Sequence, residues 1–195
     1  MASNELRLIL ASASPRRKEL LERFGIPFEV IPAVGEESAP GELPPGELVR
    51  RLAEAKAAEV ARAVSDSRAV IVAADTVVEL DGRILGKPGT PERAKAMLTA
   101  LSGKTNRVWS GLCVRRGGKT RSACERTDVL FRELTEREID AYVATGEPLD
   151  KAGAYGYQSL ASLFVERIEG DYFNVVGLPL CRLGELLREF GVELL

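Results

Sequence analysis

The sequence predicts an α/β fold, a mixed twisted sheet with flanking helices, on three observations. Strand-like and helical stretches alternate along the 195 residues, with no repeat and no low-complexity tract between them. VIVAADTVVEL, residues 70–80, is a nearly continuous apolar run, the pattern of a strand buried on both faces. Asp81-Gly82 follows at once and is a strong hairpin signal, so the sheet must contain an antiparallel pair.

The elements follow in order. Residues 6–10 read as a strand feeding a helix over 15–24, with Ser14 at its N-cap and Pro15 at its first position. Leu20, Leu21 and Phe24 form the apolar face of that helix and Gly25 ends it. FEVIPA, 28–33, reads as a strand, and the Gly-, Pro- and Glu-rich 35–47 as a surface loop. Residues 47–64 are helical by periodicity, and strand 70–80 turns through Asp81-Gly82 into RILGK. Thr90-Pro91-Glu92 opens a helix that Ser102-Gly103 closes, and strands follow at 106–116 and 120–131. Thr135-x-x-Glu138 is a capping box for a helix over 136–144. After a Gly-rich loop over 150–159 come strands at 161–168 and 171–176, then a helix over 179–190.

Composition narrows the chemistry. A 45% hydrophobic content suffices for one sizeable core, or for one domain with two lobes. A net charge of −2 argues against a general nucleic-acid or membrane-surface binder. No stretch approaches a membrane span, and the N-terminus lacks a signal-peptide hydrophobic region. Cys113, Cys124 and Cys181 are odd in number, far apart and in apolar or strand-like contexts. Reduced buried thiols and a cytoplasmic location are therefore expected. The chain contains no histidine, which excludes histidine triads, histidine metal sites and imidazole acid–base catalysis.

Four positions break their local rules, as functional positions tend to. Arg16, Arg17 and Lys18 open a helix whose N-terminus already carries partial positive charge. They either point into water or, with the free N–H groups, form an anion site beyond a strand's C-terminal end. Asp75 lies inside the apolar run, so it is an ion-paired or strand-end carboxylate, or a metal ligand or general base. Lys56 interrupts the stripe of Val49, Leu52, Ala53 and Val60; it either snorkels or binds a phosphate. A two-residue Asp81-Gly82 turn places Lys87 opposite Thr76, whereas a three-residue loop places it opposite Asp75. The functional interpretation expects the second. Cations around one buried carboxylate, with Glu36 and Glu37 in a flexible loop, suit a metal-bound polyphosphate. Neither a Walker loop nor a GxGxxG fingerprint is present.

SASPRRKELL, then EES, RLAEAKA, AADTVV, LGKP, LSGKT, TDVLF and EPLDKAGAYGYQ followed by VVGLPL resembles the Maf family, the septum-formation inhibitor proteins, along nearly the whole chain. SxSPRR, ADTVV and DKAGAYGxQ in this order are highly specific. The resemblance implies a single Maf-like domain over 1–195, two lobes around a central cleft, similar to the inosine triphosphatase type. It implies a nucleoside triphosphate pyrophosphatase that uses a divalent cation, Mg²⁺ or Mn²⁺, with a small-molecule nucleotide as partner and a homodimer as an option. By motif, Asp75 matches the catalytic carboxylate and, with Glu37, the metal ligands. Ser14, Arg17, Lys56 and Lys87 match positions lining the phosphate end. Arg16, Thr76 and Gln158 match positions that separate subfamilies, and Arg16 with Gln158 is similar to the branch acting on dTTP and UTP, with modified pyrimidine nucleotides as an extension. The alternatives are a non-catalytic nucleotide-binding regulator of septum formation and a pyrophosphatase of the 7-methyl-GTP type. The sequence departs from the family at Asn106, often His, at Ser159, commonly Gly, and at Tyr157, commonly aliphatic.

Overall fold

A computed structural model describes residues 6–35 and 43–195. In chain order the elements are β1 (Arg7–Leu10), α1 (Pro15–Glu22), β2 (Glu29–Val30), α2 (Pro45–Val64), β3 (Ala69–Leu80) and β4 (Arg83–Leu85). There follow α3 (Pro91–Leu101), β5 (Thr105–Arg116), β6 (Lys119–Phe131), α4 (Glu136–Ala144), β7 (Val165–Glu169), α5 (Tyr172–Val176) and α6 (Leu180–Arg188). Seven strands form one sheet in the order β2-β1-β3-β5-β6-β7, with β4 on β3. β1 runs parallel to β2 and β3, while β4 on β3 and β7 on β6 are antiparallel. The sheet is mixed, as expected.

The chain divides into two compact units interleaved in sequence, one of residues 1–75, 110–125 and 177–195, the other of 76–109 and 126–176. In the first, Ile9, Ala11, Ile71, Ala73 and Cys113 pack against Ala53, Ala57 and Val60 of α2. Gly111 makes this packing close, because a Cβ there would stand 2.2 Å from the Val49 carbonyl oxygen in α2. In the second, Val78, Leu98, Val129, Phe131, Tyr142 and Phe164 form the core. Phe131 meets the Tyr155 ring edge-on at 4.9 Å.

Three elements differ from the sequence-based expectation. Residues 28–33 shrink to the two-residue β2, whose residues are exposed at the sheet edge. Residues 160–163 are a 3-10 turn, and β7 begins only at Val165. Residues 172–176 are helical, although YFNVV has strand propensity. Side-chain hydrogen bonds decide that case: Asp171 Oδ1 accepts from Phe173 N at 2.8 Å. Asn174 Nδ2 donates to Val108 O at 3.0 Å and Thr127 Oγ1 at 2.9 Å. The thiols are free, but only Cys113 is buried; Cys124 is half-buried and Cys181 is exposed on α6. Burial pushes the Cys113 thiol up to about 12 and that of Cys124 to about 11. Among the described residues no helix is long and apolar enough to cross a membrane.

Candidate active site

Asp75 lies on β3 with 6% of its surface exposed. A lone carboxylate could not remain charged there at acceptable cost. Lys56 Nζ donates to its Oδ1 at 2.5 Å, and the two side chains are 15% and 9% exposed. Lys56 therefore does not snorkel outward from the apolar stripe of α2: it turns inward as the counter-ion of Asp75. The buried residues Val49, Leu52, Ala53, Ala57 and Val60 set the rotation of α2 that aims it there.

The end of β1 adds further polar groups in the same unit. Ser14 occupies the N-cap position of α1, with Pro15 next, but its hydroxyl makes no capping bond. Instead Ser14 N donates to Ser12 Oγ at 3.2 Å. The three cations of the first turn go separate ways. Lys18 is exposed and meets Glu22 at 3.4 Å, and Arg16 is half-buried. Arg17 donates from Nε to Gly177 O at 2.8 Å, and from Nη1 to Ala74 O at 2.8 Å and Ser12 Oγ at 3.2 Å.

Thr76, Lys87 and Gln158 belong to the second unit. Leu80 pairs with Arg83 and Val78 with Leu85, which makes the turn the two-residue Asp81-Gly82. This corrects the expected three-residue loop: continued onward, the register sets Lys87 opposite Thr76 and not Asp75. The reason is local, since Asp81 at φ 50° and Gly82 at φ 79° together adopt the left-handed turn that suits strand twist. Lys87 is exposed just beyond β4, and its segment is stitched to the loop leading to Gln158. Gly153 N donates to Gly86 O, and Gly89 N to Leu149 O, both at 3.1 Å. Thr76 and Gln158 are half-buried.

Side chains given no site role from the sequence hold the turn next to Gln158. Glu147 Oε1 accepts from Ser159 Oγ at 2.5 Å and from Tyr142 Oη at 2.8 Å, fixing the turn. Ser159 is thus a structural anchor. Asn106 is fully buried, donating to Val129 O at 3.0 Å and accepting from Tyr155 Oη at 2.9 Å. Burial holds the Tyr155 hydroxyl above the usual phenol range. An amide at 106 serves as donor and acceptor at once, as one imidazole tautomer would. Ser12 and Gly177 sit inside the SxSPRR and VVGLPL stretches; that context was the available signal.

Glu37, one of the two expected metal ligands, lies outside the described residues. Among the described residues no group of three or more His, Cys, Asp or Glu could hold a metal. Asp75 as a single carboxylate ligand fits a cation that takes most of its oxygens from phosphates and water, as Mg²⁺ does, and does not fit an all-protein cage.

Comparison with known proteins gives the geometry its context. The Maf-like protein family matches residues 7–190. A dTTP/UTP pyrophosphatase of Bacillus cereus (strain AH820) is 51% identical over 187 residues, covering 96% of this chain and 97% of that protein. A dTTP/UTP pyrophosphatase of Moorella thermoacetica is 53% identical over 189 residues, 96% of each chain. Among solved structures, the Staphylococcus aureus Ham1 protein aligns with a TM-score of 0.46 at 14% identity, over 64% of this chain and 71% of that one. Matched from β1 to the end of α6, with SxSPRR, ADTVV and DKAGAYGxQ in order within that span, the chain belongs to the Maf family.

Proposed function

We propose that this protein is a hydrolase of phosphoanhydride bonds, a nucleotide pyrophosphatase that converts dTTP and UTP to the nucleoside monophosphate and pyrophosphate. It would act on free nucleotides in the cytoplasm with Mg²⁺ or Mn²⁺. The observation that carries this is near-full-length identity of 51–53% to relatives bearing the name dTTP/UTP pyrophosphatase. The buried Asp75–Lys56 pair supports it, because a site that only bound anions would gain nothing from a carboxylate.

Phosphoanhydride hydrolysis is mostly positioning and charge neutralisation. Lys56 holds Asp75 Oδ1, which leaves Oδ2 to orient a water and take its proton as oxygen attacks the α-phosphorus. The bond from that phosphorus to the bridging oxygen breaks, and the electron pair leaves with pyrophosphate. The Lys56 ammonium has three donors, so its bond to Asp75 is compatible with a second bond to a phosphate oxygen. Arg16, Lys87 and the Ser14 hydroxyl are assigned to the remaining phosphate oxygens. Asp75 and Glu37 would hold the metal, which supplies charge neutralisation on the phosphates. The Gln158 amide, one donor and one acceptor, matches N3–H and O4 of uracil or thymine, with Arg16 and Thr76 contributing to base choice.

A pyrophosphate-release screen tests this over dTTP, UTP, dCTP, dATP, dGTP and 7-methyl-GTP, with Mg²⁺, Mn²⁺ or EDTA. Turnover of dTTP and UTP at least tenfold above the others, giving monophosphate and no diphosphate, is expected, with loss in EDTA. No pyrophosphate from any nucleotide would favour the non-catalytic regulator, and preference for 7-methyl-GTP the other branch. Full activity in EDTA would remove the metal from the account.

A further inference from the structure

Two of the bonds made by Arg17 are directed at main-chain carbonyls of its own unit, those of Ala74 and Gly177. β1 and β3 are parallel with Leu10 opposite Val72, and Ala11 N continues the ladder to Val72 O at 2.7 Å. Carbonyls two residues apart on a strand point to the same side, so Ala74 O faces the same edge as Val72 O. There β1 has already ended, and the chain turns through Ser12 and Ser14 into α1. A carbonyl on this fully buried residue still requires a donor. Arg17 Nη1 supplies it at 2.8 Å, in the place where the next residue of a longer β1 would have donated.

The same guanidinium reaches two further segments. Nη1 also meets Ser12 Oγ at 3.2 Å, and Nε meets Gly177 O, just before α6, at 2.8 Å. One rigid, charged fork thus ties the end of β1, the middle of β3 and the chain entering α6. Ala74 is the residue immediately before Asp75. Its peptide plane sets where the Asp75 Cα sits, and so where the carboxylate meets Lys56.

We propose that Arg17 is a positioning residue, which completes the β1–β3 ladder with a side chain and thereby fixes the backbone carrying Asp75, rather than a phosphate ligand. This rests on the pyrophosphatase reading with Asp75 at its centre. Lysine cannot replace it, because an ammonium on a flexible stem lacks the planar fork that meets acceptors on three segments at once.

The test uses the full chain with Arg17→Met and, should that variant fold poorly, Arg17→Lys. Three quantities are measured: kcat and KM for dTTP, calorimetric affinity and stoichiometry for a non-hydrolysable α,β-imido analogue of dTTP, and hydrogen exchange over residues 72–76. The expected result is a kcat lowered at least tenfold, with KM and analogue affinity within threefold of wild type. Analogue stoichiometry should stay near one, which separates the effect from a loss of folded protein, and exchange over 72–76 should accelerate. A tenfold rise in KM and in the analogue dissociation constant, with kcat and exchange unchanged, would overturn the proposal in favour of a phosphate contact. Unchanged values throughout would overturn it as well. Wild-type protein that releases no pyrophosphate would instead overturn the activity reading, and the exchange of 72–76 would still decide whether the staple exists.

Discussion

Lys56 and Asp75 illustrate why a buried ion pair says more about function than about stability. Removing two charges from water costs about as much as their attraction returns, so the intact pair contributes little net stability. Removing one partner is different, since it leaves an uncompensated charge on a side chain only 9% exposed. Lys56→Met is expected to lower unfolding free energy by about 3–5 kcal/mol in urea denaturation. Adding Asp75→Asn to that variant should recover at least ~1 kcal/mol. Strictly additive losses would mean that the two side chains do not act as a pair. Asp75 was legible as an anomaly, an acid inside an apolar strand, and so was Lys56 inside an apolar helical stripe. That each resolves the other was not legible, because pairing across 19 residues depends on how α2 packs over β3. Arg17 was hardest to interpret: its charge suggested an anion, and nothing local reveals that three segments present oxygens to it.

At the scale of elements, local chemistry was a good guide where it was self-contained. The Thr135–Glu138 capping box forms as expected, with Glu138 Oε2 accepting from Thr135 N at 2.9 Å and Thr135 Oγ1 accepting from Glu138 N. The Arg132 side chain, then the Thr135 backbone and hydroxyl, hold the Glu138 carboxyl down to about 2. A depressed folded-state value means the contribution is present above the ordinary carboxylate range near 4.5 and is lost as pH falls toward about 2. Glu138→Gln should therefore remove acid sensitivity of the α4 N-terminus between those values. Exchange of amides 136–139 as a function of pH reports it, and a wild-type profile with no change across that window would contradict the assignment. Local signals misled where longer-range partners intervened. Residues 172–176 have strand propensity, yet Asn174 finds Val108 and Thr127 on β5 and β6, and the segment coils to reach them. The hairpin register was open to two outcomes, and the left-handed preference of Asp81-Gly82 settled it locally. Lys87 consequently falls in register with Thr76, on a segment stitched to the 149–153 loop.

At the scale of the whole molecule, the absence of histidine is the strongest constraint on chemistry, and it was visible from composition alone. A phosphoanhydride hydrolase suits such a chain, since the reaction asks for fixed cations and one carboxylate more than for an imidazole near neutrality. The mixed sheet was foreseeable from the alternating elements and the hairpin. The interleaving of the units was not, because β3, β5 and β6 each give residues to both, and no composition shift marks Asp75, Trp109 or Glu125 as a boundary. The measurement that bears most directly on the account compares wild type with Asp75→Asn, following thymidine monophosphate and pyrophosphate release from dTTP, with circular dichroism on both proteins. Matching spectra and a kcat at least about 10²-fold lower in the variant are expected, the range for loss of a positioned acid–base group. An Asp75→Asn protein that folds normally and releases pyrophosphate at the wild-type rate would contradict it.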